Sequence, residues 1–475
     1  MPDREVAQPV AATTTSSTAP QRRKAVPGKL EAKLFNPENN TRFLPQRYRR
    51  VTKLAILYER WRSIVQRQAS EVALRDLTAG RNWTFARLSA GSEMTPGQNG
   101  PMVFPWGGSA EFILAVLRGW RQGRIVCPVE AGQQPPDFAQ LPPGCVHIKT
   151  TSATTGDARA VAFTAEQLAA DAENIVATMG LRRDWPNLGV ISMAYSYGFS
   201  NLVLPLLLHG IPLILAPAPL PKAVRRAAAL VPELTLPAVP ALWRAWHDTD
   251  SIPPNVKLAI SAGAPLPVEL EQAVFAARGL KLHNFYGSTE CGGIAYDASE
   301  TPRTDAACVG RAMKNVSLSV AEDGCLEVRS RAVAETYWPL SDLSLGGGCF
   351  RTNDIAEISG GQVYLRGRAG DQINVAGRKV LPETIERALL QHPQILECLV
   401  FGVPSRDAER SEEIVAAIVS REHEAALRKF AVETLPAWQS PRHWWFVETV
   451  QTNSRGKVSR AEWRSRFVRQ QSGQG

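Results

Sequence analysis

The sequence predicts an α/β fold: a large body of layered sheets with helices on their faces, then a β-rich part, then a small C-terminal α+β domain. Three observations lead there. Short apolar runs alternate with helical-period stretches up to about residue 285. Beyond about residue 310 the pattern changes to hairpins. The 475 residues exceed one ordinary domain, and 44% hydrophobic against 21% charged residues supply a substantial core.

Residues 1–40 are rich in Ala, Thr, Ser, Pro and Gln and read as a disordered basic tail. Ala110–Gly119 is apolar at helical spacing, and Arg124–Val129 is a short buried strand. Thr164–Gly180 reads as a helix. Thr164, with Gln167 three residues on, supplies a capping box. Gly189–Met193 is strand-like. Leu202–Leu220 is the most hydrophobic stretch, yet His209, Gly210, Pro212, Pro217 and Pro219 interrupt it. A membrane helix needs about 20 unbroken apolar residues, so this stretch reads instead as a helix over Asn201–His209 and a strand over Ile211–Ala216. Lys257–Ser261, a helix over Pro267–Arg278, and Lys281–Phe285 repeat the alternation. Ile355–Ile358, a turn at 359–361 and Gln362–Leu365 form the clearest hairpin. A helix over Pro382–Gln391, strands near Glu397–Phe401 and Ile414–Val419, and a helix near His423–Glu433 complete the small domain. The boundary is expected near Arg368–Asp371, giving a body over 41–368 and a domain over 369–475.

The net charge of +9 suits anionic partners. Part of it is local, in Arg22, Arg23, Lys24, Arg47, Arg49 and Arg50, which read as a solvated tail. No nucleic-acid-binding pattern accompanies the charge, so no nucleic-acid partner is expected. The seven cysteines form no CxxC or CxxH pair and read as reduced thiols. With no signal peptide visible, a cytoplasmic protein is expected.

Four segments carry chemistry. Thr151, Ser152, Ala153, Thr154, Thr155 and Gly156 lie between a strand and a helix. Hydroxyls and backbone N–H groups there can wrap phosphates, although such a run is equally a polar surface loop. Ser261–Leu266 and Asn284–Glu290 put two loops at the carboxyl ends of neighbouring strands, where ligands bind in open sheets. Tyr286 offers a flat face for a base, Thr289 a hydroxyl for phosphate, and Glu290 a carboxylate for Mg2+. Asp354 and Arg368 flank the hairpin. They could hold a ribose, but on spacing alone they read as a structural ion pair. Gly456-Lys457 can swing a charge onto developing negative charge; without context Lys457 is an exposed lysine near a basic terminus.

Taken in this order, these segments resemble the adenylate-forming superfamily of acyl-CoA synthetases, adenylation domains and luciferases. The likeness covers roughly residues 55–465. Trp83–Leu88, Ser109–Pro128 and, above all, Ser261–Leu266 with Tyr286–Glu290 and Gly367–Glu386 carry it. The resemblance implies a layered adenylation domain with a distorted-barrel part and a mobile C-terminal domain. It implies ATP and Mg2+ as cofactors, and CoA or a carrier-protein phosphopantetheine as thiol acceptor. A small carboxylic acid would be the substrate and an acyl carrier protein a further partner.

By the same resemblance, Thr151, Ser152, Thr154, Thr155, Gly156 and Arg159 would hold phosphates. Gly263, Ala264, Pro265 and Tyr286 would line the adenine site, and Asp354 and Arg368 the ribose site. Thr289 would touch the α-phosphate and Glu290 would hold Mg2+. Lys457 would bridge the substrate carboxylate and α-phosphate. Gly370 would be the hinge. Tyr195, Tyr197, Phe199, Cys291, Gly292 and Gly293 would line the acyl pocket, where ordinary core residues are the plain alternative. Ala376 and Gly377 would border the thiol tunnel.

The chain departs from the family at Ala153, at Ala158-Arg159-Ala160, at Tyr195 and at Gln451. A fatty or aromatic acid is favoured, because amino-acid-activating members place an Asp where Tyr195 stands, to pair the ammonium. Amino-acid adenylation and a non-catalytic nucleotide-binding relative are the alternatives.

Overall fold

The computed structural model describes residues 46–94, 100–150, 159–405, 411–451 and 458–471, with side chains from residue 56. The tail over 1–40, the loop Thr151, Ser152, Thr154, Thr155 and Gly156, and Lys457 lie outside the described residues.

The body is α/β, as its alternating pattern requires. Parallel strands stand in the order Val72–Asp76, Leu213–Leu215, Asn187–Gly189, Leu234–Ala238, Val256–Ser261 and Leu282–Ser288. The last of these belongs to two regimes. Its first half pairs in parallel with Val256–Ser261, Ser261 standing opposite Asn284. Its second half pairs antiparallel with Gly292–Tyr296, Tyr286 standing opposite Ala295. From there the sheet continues antiparallel through Cys308–Ala312, Gln362–Arg368, Cys349–Ser359 and Cys325–Arg329. Tyr286 thus sits at the strand where a parallel sheet gives way to an antiparallel one, in its carboxyl-terminal half, and open sheets bind ligands outside the carboxyl ends of their strands.

A second sheet runs Thr336–Trp338, Ala160–Phe163, His147–Thr150, Ile125–Val126 and Met102–Val103. Helices fill the space around it. Trp61, Phe85, Phe112, Trp120, Phe163 and Phe199 are all essentially buried in one core that joins the sheets. Ala165–Met179 carries the expected capping box at Thr164 and Gln167, and stops at Gly180 in the left-handed region.

Several elements differ from the sequence reading. The strand placed over Gly189–Met193 is Asn187–Gly189. It pairs in parallel with Leu213–Leu215 on one side and Leu234–Ala238 on the other. The helix placed over Asn201–His209 starts earlier, at Ser196–Gly198. It passes through a π-helical segment, Phe199–Val203, before the α-helical Leu204–His209. The hairpin strands are longer, Cys349–Ser359 and Gln362–Arg368.

The C-terminal part has a hydrophobic cluster of its own, including Ile373, Ile385, Val400, Ile414 and Leu427. Strands Ile395–Pro404, Glu412–Ser420 and His443–Phe446 form its sheet. Helices Pro382–Leu389, Glu424–Thr434 and Arg460–Gln471 accompany it. A single guanidinium, that of Arg460, gathers three acids. It donates to both carboxylate oxygens of Glu386 at 2.8 and 2.9 Å and pairs with Glu383 at 3.0 Å and Asp371 at 3.3 Å. Among the described residues, no helix is long and apolar enough to cross a membrane.

Candidate active site

Three loops meet at the sheet's switch point. The first follows Val256–Ser261. Gly263 holds φ +86°, with Ala264 and Pro265 turning the chain outward. The second is the end of Leu282–Ser288 and the turn through Thr289 and Glu290. The third is the mouth of the long hairpin. Register puts Asp354 opposite Arg368, and the Arg368 Nε donates to Asp354 Oδ1 at 3.1 Å. The Tyr286 hydroxyl donates to the other Asp354 oxygen at 2.5 Å. Buried Thr352 accepts the Asp354 backbone N–H at its hydroxyl at 3.1 Å. Burial, followed by the charge of Asp354, pushes the Tyr286 hydroxyl well above its ordinary pKa. It therefore stays protonated and donating at any working pH.

Glu290 faces the second sheet. Tyr337, on Thr336–Trp338, donates its hydroxyl to Glu290 Oε1 at 3.0 Å. The Ala334 N–H donates to the Glu290 carbonyl at 2.8 Å. The Glu290 N–H donates to Ser288 Oγ at 3.2 Å. Thr289 precedes it in the same turn, half-buried. Arg159, which leaves the phosphate-loop segment, stands 5.2 Å over the Tyr337 ring and donates to Asp342 at 3.3 Å.

Does this arrangement fit Mg2+? Mg2+ is usually held by one or two carboxylates together with substrate phosphates. Glu290 offers one such carboxylate, with acceptor capacity beyond its single hydroxyl donor. No group of three potential ligands occurs among the described residues. The residues therefore fit a cation shared with a nucleotide, not one held by the protein alone.

The residues expected to line the acyl pocket fall into two sets. Tyr197 is half-buried and directs its hydroxyl to the carbonyls of Ala238 and Ile260, at 3.4 Å each, on two strand ends of the site. Tyr195 caps the same short helix and is half-buried. Phe199 is 1% exposed and stacks on His147 at 4.3 Å and against Phe112 at 6.5 Å, which makes it core packing behind the site. Cys291 is fully buried, and burial raises its thiol pKa far above the usual range. Gly292 and Gly293 open a strand with no room for side chains. A Cβ on Gly292, at φ +68°, would fall 2.0 Å from Asp171 Oδ1, and one on Gly293 would fall 2.3 Å from the Met313 sulfur.

Behind this wall lies a buried ion pair that the motifs did not reveal. Lys149 donates to Ser200 Oγ at 3.2 Å and Ser196 Oγ at 3.3 Å, and lies 3.8 Å from Asp171. Asp171 accepts from Ser200 at 2.6 Å and from the Gly293 N–H at 3.2 Å. Its one sequence signal was a lysine inside the apolar run Cys145–Thr150. A second such network supports the loop that follows Val256–Ser261. Arg303 donates to Glu271 Oε2 at 2.8 Å and to the Leu266 carbonyl at 2.8 Å. Lys281 binds the other oxygen of Glu271, and also Asp297 at 2.6 Å.

Gly370 lies in the short 3-10 turn Ala369–Asp371 that follows Arg368. A side chain there would meet nothing within 4 Å. Ala376 and Gly377, at φ +52° and +80°, form the exposed tip of the hairpin Ile373–Val375/Arg378–Val380.

The model of the AMP-binding enzyme family matches residues 130–338, and that of its C-terminal domain matches 384–457. The chain belongs to the AMP-binding enzyme family. The "Probable 2-succinylbenzoate–CoA ligase" of Mycobacterium tuberculosis is 28% identical over 390 residues, which cover 76% of this chain and 93% of that protein. The fatty acid–[acyl-carrier-protein] ligase ScoC of Streptomyces coeruleorubidus is 28% identical over 275 residues, 52% of each chain. The ATP-bound crystal structure of MatB from Rhodopseudomonas palustris superposes with a TM-score of 0.75 at 20% identity, covering 86% of this chain and 98% of that one. The fold is thus that of the adenylate-forming enzymes, and the chain is an AMP-dependent ligase of the acyl-CoA synthetase kind.

Proposed function

We propose that this enzyme condenses a fatty or aromatic acid with ATP to give an acyl-adenylate and pyrophosphate, then passes the acyl group to a thiol. The observation that carries the reading is the convergence of Tyr286, Asp354 and Arg368 beside Glu290 at the sheet's switch point. Tyr286 would pack on the adenine against Gly263, Ala264 and Pro265. Asp354 would accept the ribose hydroxyls, steadied by Arg368. Thr289 and the 151–156 loop would donate to phosphate oxygens, with Arg159 at its exit.

Glu290 would hold Mg2+, which supplies charge neutralisation on the phosphates. Lys457 would stand between the attacking carboxylate and the α-phosphate. Catalysis is then positioning plus charge stabilisation at phosphorus, without a covalent enzyme intermediate. Residues 41–368 would form the adenylation body. Residues 369–475 would form a domain pivoting at Gly370, which brings either Lys457 or the Ala376-Gly377 tip to the site.

Two features support an apolar or aryl acid over an amino acid. Tyr195, Tyr197, Cys291, Gly292 and Gly293 offer no carboxylate for an ammonium. The buried charges behind them, Lys149 and Asp171, are spent on one another. CoA is the acceptor the family implies. A carrier-protein phosphopantetheine is the second acceptor, supported by the likeness to ScoC.

The test is acid-dependent pyrophosphate release with Mg2+·ATP across fatty, aryl and amino acids, beside Lys457→Ala. Release with one acid class, reduced about 10²-fold or more in the variant, is expected. Folded protein that binds ATP but turns over no acid would instead identify a nucleotide-binding relative.

A further inference from the structure

Tyr337 occupies a position that the reading above does not use. It lies on Thr336–Trp338, which pairs antiparallel with Ala160–Phe163, Tyr337 standing opposite Val161. Ala160–Phe163 is the strand that leaves the phosphate-loop segment. The same segment is also fastened to the other side of the site. The Ala334 N–H donates to the Glu290 carbonyl at 2.8 Å, and the Glu335 N–H to the Ala162 carbonyl at 2.9 Å. Residues 334–338 therefore bridge the Glu290 turn and the strand beyond the loop.

The side chain follows the backbone. Tyr337 is 7% exposed, and its hydroxyl donates to Glu290 Oε1 at 3.0 Å. Arg159 covers the ring at 5.2 Å and is itself bonded to Asp342. The ring is thus fixed by strand pairing on one side and a guanidinium on the other. A glutamate side chain has three rotatable bonds, and a fixed donor on one carboxylate oxygen restricts its orientation and leaves the other oxygen to bind.

We propose that Tyr337 is a positioning residue that orients the Glu290 carboxylate toward the Mg2+·nucleotide, and that it couples this carboxylate to the strand leaving the phosphate loop. The inference rests on the reading of Glu290 as the magnesium-holding group. Groups that hydrogen-bond a metal ligand typically tune metal affinity by about 10- to 100-fold.

The test is calorimetric titration of ATP, and of Mg2+ at saturating ATP, into the wild type, Y337F and Y337H. Y337F removes one oxygen and keeps the ring; Y337H keeps an N–H donor. Y337F is expected to weaken Mg2+ binding at saturating ATP by about tenfold or more. Its metal-free ATP affinity should be unchanged, and Y337H should lie nearer the wild type. Wild-type Mg2+ affinity in Y337F, or equal loss of metal-free and Mg2+-dependent binding, overturns the proposal. Should Y337F not fold, Y337H is compared with Y337L, and equal Mg2+ affinity in those two overturns it likewise. A wild type whose ATP affinity ignores Mg2+ removes the reading of Glu290 and this inference with it. Acid-dependent turnover of the wild type, measured alongside, shows whether the ligase reading survives in that case.

Discussion

Replacing Arg303 with Met should be among the most damaging single changes available outside the site itself. Arg303 is a buried side chain that bonds Glu271 Oε2 at 2.8 Å, the Leu266 carbonyl at 2.8 Å and the Cys308 carbonyl at 2.6 Å. Glu271 has no exposure at all, and its remaining cation is Lys281, which it shares with Asp297. In the wild type two cations face two carboxylates. R303M leaves one cation for two buried anions, and removes the guanidinium donors from the Leu266 and Cys308 carbonyls, the latter keeping Asn284 Nδ2 at 3.5 Å. Breaking a buried pair by removing one partner costs about 3–5 kcal/mol, a large share of the ~5–15 kcal/mol that holds a native protein together.

The assay is urea unfolding followed by tryptophan fluorescence. Trp243 and Trp246 report on this region, since they share a buried cluster with Leu266 and Leu270. With an m-value of about 3 kcal/mol/M, a loss of about 4 kcal/mol lowers the midpoint of that transition by roughly 1.3 M. Neutralising the stranded acid in E271Q/R303M should recover at least about 1 kcal/mol relative to the sum of the single changes. A loss under about 1 kcal/mol in R303M, or strict additivity with E271Q, would refute the view that this network operates as a unit.

Two further changes probe the same packing logic. Gly292→Ala places a methyl carbon 2.0 Å from Asp171 Oδ1 on a backbone at φ +68°. It should cost at least about 2 kcal/mol and expose Lys149 and Asp171 to reorganisation; a thermal midpoint equal to the wild type would contradict the packing described. Lys281→Met tests the pH dependence. Burial raises the pKa of Asp297, but the bonds from Lys281 and Ser299 outweigh it and hold the group below its ordinary value. Its stabilisation is therefore complete above the unfolded carboxylate range, about pH 4, and is lost as pH falls through the lower folded value. The urea-midpoint gap between wild type and K281M should accordingly narrow from pH 6 to pH 3, and a gap that widens would reverse the assignment.

The site was legible in the sequence where its parts are local. Tyr286 through Glu290 is one strand end, and the hairpin brings Asp354 and Arg368 near each other, a bulge between Ile355 and Ala356 setting them directly opposite. What stayed hidden depends on elements distant in the chain. Tyr337 reaches Glu290 only because Thr336–Trp338 adds to a strand more than 170 residues earlier. Lys149 meets Asp171 and Ser200 through packing between a strand and two helices, which no periodicity encodes. The resemblance puts Phe199 on the wall of the acyl pocket, with an ordinary core residue as the plain alternative. The π-helical segment that begins at Phe199 changes the angular spacing of the side chains, and Phe199 packs into the core.

The Arg460 cluster bears on how such a molecule could turn at Gly370. Asp371 follows that glycine directly and is tied to Arg460, whose other bonds reach Glu383 and Glu386 on Pro382–Leu389. Asp371 and Pro382–Leu389 are therefore tied together through Arg460, while Arg368 is fastened to Asp354. Only the two linkages around Ala369 and Gly370 lie between these anchors. Under the proposed pivot at Gly370, rotation confined to so short an axle would make the C-terminal part swing as a rigid crank, small torsions there becoming long arcs at its rim.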